Sequence, residues 1–304
     1  MNDINCTERT MATRYLLGDG VPQSDEQAAH HFRIAAERGD AAAQYDLGRL
    51  YELGRGVPQS DAESLRWCCA AAEGGYPPAQ HALGNLYEIG HLVPQSLAEA
   101  VRWYAKAAAQ GYAAAQYSLG VMYNEGYGVE RSYAEALKWY RAAAEGGEGA
   151  AYYALGVMYR DGEGVPQDLT EAREWFCFGA AAGSANAQCE LGLMLERGTG
   201  GEQDYTGAAE WYRRAADQGN AEAQYNLGVM YELGRCVAQS YEMAAGYYRL
   251  AAMAEHAAAQ YSLGRLYERG CGVERSTPTA IEWYKKAAAN GEVNALVALT
   301  KLLI

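Results

Sequence analysis

The chain has 304 residues, half of them hydrophobic, with 35 Gly, 7 Pro and 21% charged residues, which excludes a disordered polymer. A net charge of −13 and an isoelectric point near 4.9 argue against nucleic acid as a ligand, because affinity for a phosphate backbone rests on clustered Lys and Arg. Every Ala-rich run is cut by Arg, Lys, Glu or Gln before it reaches the roughly 18 apolar residues of a membrane span, so no membrane insertion is expected.

The N-terminus, MNDINCTERTMATRYLLGDG, carries acids and threonines where a signal peptide has basic residues and an apolar run. A cytoplasmic location is therefore expected, with export by a signal-less route as the alternative. Cys6, Cys68, Cys69, Cys177, Cys189, Cys236 and Cys271 are odd in number and irregularly spaced, so reduced thiols are expected.

From residue 41 onward the chain repeats itself. Leu47-Gly48 returns as Leu83-Gly84, Leu119-Gly120, Leu155-Gly156, Leu191-Gly192, Leu227-Gly228 and Leu263-Gly264, always after 36 residues. Tyr51 and Trp67 recur at the same step, with Leu195, His31 and Tyr247 as stand-ins. Within the repeat at 41, Ala43, Leu47, Leu50 and Tyr51 have amphipathic-helix spacing, which predicts a first helix, A, over about 41–53. Gly54, Gly56 and Pro58 end it, and Ser60-x-x-Glu63 reads as a capping box opening a second helix, B. Helix B places Ser64, Trp67, Cys68, Ala71 and Ala72 on one face. The Trp and the residue after it are expected to fill the core, and a Trp→Ala change is expected to cost about 3–5 kcal/mol. Repeats are read from near 5, 41, 77, 113, 149, 185, 221 and 257, followed by a capping helix over 293–304. One such hairpin cannot bury its own apolar face, so the repeats must stack, and a single domain over 1–304 is expected.

The pattern Ala-x-x-x-Leu-Gly-x-x-Tyr-x-x-Gly-x-Gly-Val, then Ala-x-x-Trp-Tyr-x-x-Ala-Ala-x-x-Gly, at Ala115 to Val129 and Ala136 to Gly147, resembles the Sel-one-like repeat (SLR), a relative of the tetratricopeptide repeat. The resemblance implies an all-α fold, a right-handed α/α superhelical solenoid, serving as a non-enzymatic scaffold or adaptor for a protein or peptide partner. It also implies a binding groove lined by helices A. On helix A, positions 42, 45, 49, 52 and 53 point away from the apolar side at about 100° per residue. The candidate groove is thus the 45-type series Tyr45, Tyr117, Tyr153, Tyr225 and Tyr261, with His81 and Cys189 interrupting it. Beside it runs the 49-type series Arg49, Asn85, Val121, Val157, Leu193, Val229 and Arg265. An apolar stripe with cationic ends suits a peptide with apolar anchors and an acidic terminus. Packing of the valines on the next helix A, and a ladder of tyrosines between neighbouring helices, are the competing readings.

No chemistry is read from the sequence. The five histidines have no zinc spacing, and His30 and His31 diverge on a helix. Gly126-Tyr127-Gly128 lacks the Lys-Ser/Thr of a phosphate loop. Cys68 and Cys177 are placed among core aromatics, where thiols are inert. Glu63, Glu99 and Glu135 face Arg66, Arg102 and Lys138 one turn on. No catalytic residue, metal or cofactor is expected. A small-molecule or cell-wall-ligand binder, or a bacterial regulator or host-interaction protein, is the alternative function. The apolar last helix, with Leu296, Val297, Leu299, Leu302, Leu303 and Ile304, is a candidate self-association surface, unless these residues pack on Trp283 and Tyr284.

Overall fold

A computed structural model describes residues 2–303, and the side chains of 6–302. Among the described residues there are helices and no strands. The chain divides into two compact units, with the division between Ala151 and Tyr152. The first unit contains α1 (Asn2–Leu17), α2 (Asp25–Glu37), α3 (Ala41–Leu53), α4 (Asp61–Glu73), α5 (Pro77–Ile89), α6 (Leu97–Ala108), α7 (Ala113–Glu125) and α8 (Tyr133–Glu145). The boundary falls within α9 (Gly149–Asp161). The second unit continues with α10 (Leu169–Ala181), α11 (Ala185–Arg197), α12 (Tyr205–Asp217), α13 (Ala221–Leu233), α14 (Tyr241–Met253), α15 (Ala257–Arg269), α16 (Thr277–Ala289) and α17 (Val293–Leu303).

Each predicted hairpin forms, and its ends are set by local chemistry. α3 stops at Gly54, whose φ of 64° is the left-handed conformation that a side chain disfavours. α4 starts at Ser60, whose hydroxyl accepts from the Glu63 N–H at 3.3 Å. The reciprocal half of the expected capping box is absent. The Ser60 N–H donates instead to the Tyr51 carbonyl at 3.0 Å, and Glu63 turns to Arg66. The same backbone bond joins Ser96 to Tyr87, Ser132 to Tyr123, Ser240 to Tyr231 and Ser276 to Tyr267. A strong backbone acceptor already occupies the donor that the glutamate would have reached.

Successive hairpins are stitched by a buried glutamine. The Gln80 amide donates to the Ala72 carbonyl at 3.1 Å, and Gln188, Gln224 and Gln260 repeat the bond to Ala180, Ala216 and Ala252. The first unit's core is built from alanines with Leu47, Leu83, Leu119, Phe32 and Tyr104, and that of the second from alanines with Leu191, Leu227, Leu263, Phe176, Tyr212 and Tyr248.

Two expectations about the core are corrected. The deeply buried ring is the residue after the tryptophan. Tyr104, Tyr140, Phe176, Tyr212, Tyr248 and Tyr284 are buried, whereas Trp103, Trp139, Trp175, Trp211 and Trp283 are only half-buried; Trp67, followed by Cys68, is buried as expected. Lys106 Nζ lies 3.6 Å from the Trp103 ring centre, and Lys286 Nζ 4.4 Å from that of Trp283, so these rings carry a cation on one face. Cys177, in turn, is exposed, because it follows the buried ring by one residue and so turns outward by about 100°.

At the C-terminus, Leu299 and Leu302 pack with the cluster around Tyr284, Ala287 and Ala295, whereas Leu296 and Val297 are exposed. The Leu303 side chain and Ile304 lie outside the described residues.

Candidate functional site

The candidate face belongs to the first helix of each hairpin and is described in each unit separately. In the first unit, Tyr45 and Tyr117 are half-buried, Arg49 is exposed, and Asn85 and Val121 are half-buried. In the second, Tyr153, Val157, Leu193, Tyr225, Val229, Tyr261 and Arg265 are all half-buried.

The tyrosines lean on the buried ring of their own hairpin. Tyr117 lies 5.7 Å from Tyr140, Tyr153 5.9 Å from Phe176, Tyr225 5.7 Å from Tyr248 and Tyr261 5.6 Å from Tyr284, centre to centre. His81, in the same series, lies 5.4 Å from Tyr104. These are aromatic packing distances, so the series has a structural role in every one of those hairpins. Burial pushes the Tyr153 and Tyr225 hydroxyls above their ordinary pKa and the His81 imidazole below its own. Val157 and Val229 pack against the cores beneath them.

A polar layer crosses four of the hairpins below this face. The Tyr104 hydroxyl donates to Glu88 at 2.5 Å and lies 2.6 Å from Asn85 Oδ1. Tyr212 donates to Glu196 at 2.9 Å, Tyr248 to Glu232 at 2.7 Å and Tyr284 to Glu268 at 2.6 Å. Glu232 also pairs with Arg265, so this end of the 49-type series is already neutralised. Arg49, at the other end, has no ion pair among the described residues.

Tyr45, Arg49 and Asn85 are brought together around a cavity of about 280 Å³ in the first unit. Glu52, Asp61, Cys68, His91 and Leu92 complete its wall. Burial pushes the Cys68 thiol up to about 12, so it is protonated and unreactive at neutral pH. Sequence reasoning places Glu52 on the outward face and Cys68 in the core, but does not join them, or His91 and Leu92, into one cavity. The available signal was Cys68 itself, a small residue at a position that is aromatic in the other seven repeats.

Beyond the cavity, Leu53 and Ile89 are 55% and 73% exposed at the C-terminal ends of α3 and α5, and Leu233 is 52% exposed at the end of α13. The corresponding positions elsewhere hold Glu125, Asp161, Arg197 and Arg269. Among the described residues no group of three or more His, Cys, Asp or Glu is placed to hold a metal ion, and no helix is long and apolar enough to cross a membrane.

The Sel1 repeat profile matches residues 11–40, 41–76, 77–112, 113–148, 149–184, 185–220, 221–256 and 257–292. Among solved structures, the chain is similar to a protective antigen present in uropathogenic Escherichia coli strains, described as displaying an SLR fold. The two are 37% identical with a TM-score of 0.84, over 97% of this chain and 63% of that one, so this chain spans less than two thirds of that relative. A Sel1 repeat protein from Oxalobacter formigenes is 32% identical with a TM-score of 0.74, over 98% of this chain and 86% of that one. Curated proteins give no significant match.

Proposed function

The chain belongs to the Sel1 repeat family, whose members are generally protein-interaction scaffolds, and from that premise we propose that it binds a peptide or protein partner on the outward face of its first helices. The observation that carries this reading is the contrast within one helix. The Leu-Gly positions that pack the hairpin are unchanged from Leu47-Gly48 to Leu263-Gly264. The outward 49-type and 53-type positions change from Arg to Val and from Leu to Asp without disturbing it. Packing demands uniformity, whereas recognition of one particular partner demands a particular sequence of side chains. Exposed Leu53 and Ile89 in the first unit, and Leu233 in the second, each offer an apolar anchor point at the end of a first helix.

The test uses residues whose replacement spares the core. A chain carrying Leu53→Asp, Ile89→Asp and Leu233→Asp is compared with the parent in affinity capture, after circular dichroism shows equal helicity. A partner held by the parent and released by the variant supports the reading. Equal retention by both moves the site off this face.

A further inference from the structure

Seven of the repeats place an aromatic ring at one position of their second helix: Phe32, Tyr104, Tyr140, Phe176, Tyr212, Tyr248 and Tyr284. The ring is held so tightly against the facing helix that a Cβ added to Gly84, Gly120, Gly156, Gly192, Gly228 or Gly264 would lie between 2.5 and 2.7 Å from it. Across the hairpin, the residue that meets the end of the ring follows its chemistry. Where the ring is a tyrosine bonded there, the acceptor is Glu88, Glu196, Glu232 or Glu268. Tyr140 has Asn124 at that position, and the two phenylalanines, without a hydroxyl, have Leu16 and Arg160. No carboxylate is kept where the chain's own ring lacks a donor.

The repeat over 41–76 breaks this rule. Its ring position is Cys68, yet Glu52 stands at the acceptor position. Among the described residues Glu52 makes no hydrogen bond or ion pair, and it is exposed where Glu88, Glu196, Glu232 and Glu268 are half-buried. The backbones have not closed over the missing ring. A Cβ on Gly48 would lie 3.2 Å from the Ser64 carbonyl, against 3.3 Å for the same contact between Gly192 and Ala208 in a hairpin that holds its tyrosine. Tyr45, left without a ring on Cys68, leans on Tyr76 at 5.7 Å instead. The volume that remains is the cavity lined by Gly48, Glu52, Cys68 and Asn85.

Its mouth has a second feature. At the turn position held by Gly56, Gly128, Gly200 and Gly272, a Cβ built on the glycine would lie between 2.0 and 2.5 Å from backbone of the preceding second helix. Leu92 occupies that position with a φ of 63°, as Cys236 does with a φ of 53° in the second unit. Its side chain requires the turn to stand off α4, and Leu92 and Asp61 line the cavity together.

We propose that this cavity receives the side chain of a tyrosine from a protein partner. The ring fills the volume that the chain's own aromatic fills in the other repeats, and the phenol donates to Glu52 as Tyr104 donates to Glu88. Arg49, at the rim, suits an acidic group next to that tyrosine, whereas Glu52 and Asp61 repel a phosphorylated one. The proposal rests on the reading of the helix-A face, to which Tyr45, Arg49 and Asn85 belong.

The full chain, labelled with nitrogen-15, is titrated with N-acetyl-L-tyrosinamide and with N-acetyl-L-phenylalaninamide. The tyrosine probe is expected to shift the amides of Gly48, Glu52, Cys68 and Asn85, and to bind about tenfold more tightly than the phenylalanine probe. Cys68→Tyr fills the cavity and abolishes both responses, and Glu52→Gln, an exposed change that spares the fold, reduces the preference to less than about threefold. The proposal is overturned by silence of the parent chain, by equal affinity for the two probes, or by an unchanged preference in Glu52→Gln. Dimerisation of the parent that Cys68→Tyr abolishes would seat a second copy's tyrosine there and overturn the reading of a separate partner. A partner retained by Cys68→Tyr but released by the Leu53, Ile89 and Leu233 variant sinks the cavity and leaves the helix-A face standing.

Discussion

The hairpins over 41–76 and 77–112 differ most at one buried position, Cys68 against Tyr104, and the difference separates what a repeat needs from what it is free to vary. In the second of them Tyr104 fills the space over Gly84, supports His81 and bonds Glu88. In the first, the smaller Cys68 leaves a cavity there, yet α3 and α4 form, with their Ser60 cap. The hairpin is therefore held by its Leu-Gly and Ala-Ala contacts and by its backbone bonds, whereas the ring adds packing energy.

The sharpest way to break this comparison is to remove a ring that is present. Tyr140→Ala is expected to lower unfolding free energy by about 3–5 kcal/mol, and Trp139→Ala, at a half-buried ring, by about half as much. Urea denaturation checks the order, and a reversal would return the tryptophan to the centre of the core. Next in size is the glycine under the ring. Gly120→Ala drives a Cβ to 2.6 Å from Tyr140 and is expected to cost about 1–3 kcal/mol. Gly48→Ala meets no ring, so its close contact with Ser64 is offset by better helix propensity, and a change within about 1 kcal/mol is expected in the same assay.

Smaller still is the polar layer. Tyr104→Phe leaves Glu88 without its donor and is expected to cost about 1–2 kcal/mol, while Glu52→Gln changes stability by no more than about 0.5 kcal/mol. The smallest effect is a dependence on pH. Burial depresses the His81 pKa in the folded state, so the unfolded chain takes up that proton first. The contribution is complete above the ordinary imidazole value and is lost as pH falls through that value towards the folded one. Melting from about pH 7.5 to about pH 5.5 is expected to destabilise the parent more than His81→Tyr, which restores the residue that five other hairpins have. Equal slopes would remove His81 from the account.

Much of this was legible without coordinates. The Leu-Gly step of 36 residues and the helix over 41–53 read directly, because one hairpin's helical period and its glycine and serine stops are local properties. Adjacent residues were harder. Trp139 and Tyr140 are equally apolar in a helical pattern, and only the approach of the neighbouring helices decides which is enclosed. The same limit misplaced Cys177, one position past a buried ring. Glu63 was read as half of a capping box because its spacing fits, but the competing acceptor, the Tyr51 carbonyl, arrives from the other helix of the hairpin.

The sequence by itself determined that this chain repeats one kind of helical hairpin, since the step, caps and apolar face are each set within a few residues by propensity and periodicity. Only the tertiary structure decided where that uniformity leaves a gap. Cys68, Glu52 and Leu92 lie on three separate elements of chain, and a cavity exists among them because backbone contacts elsewhere hold the helices apart at the spacing a ring would require.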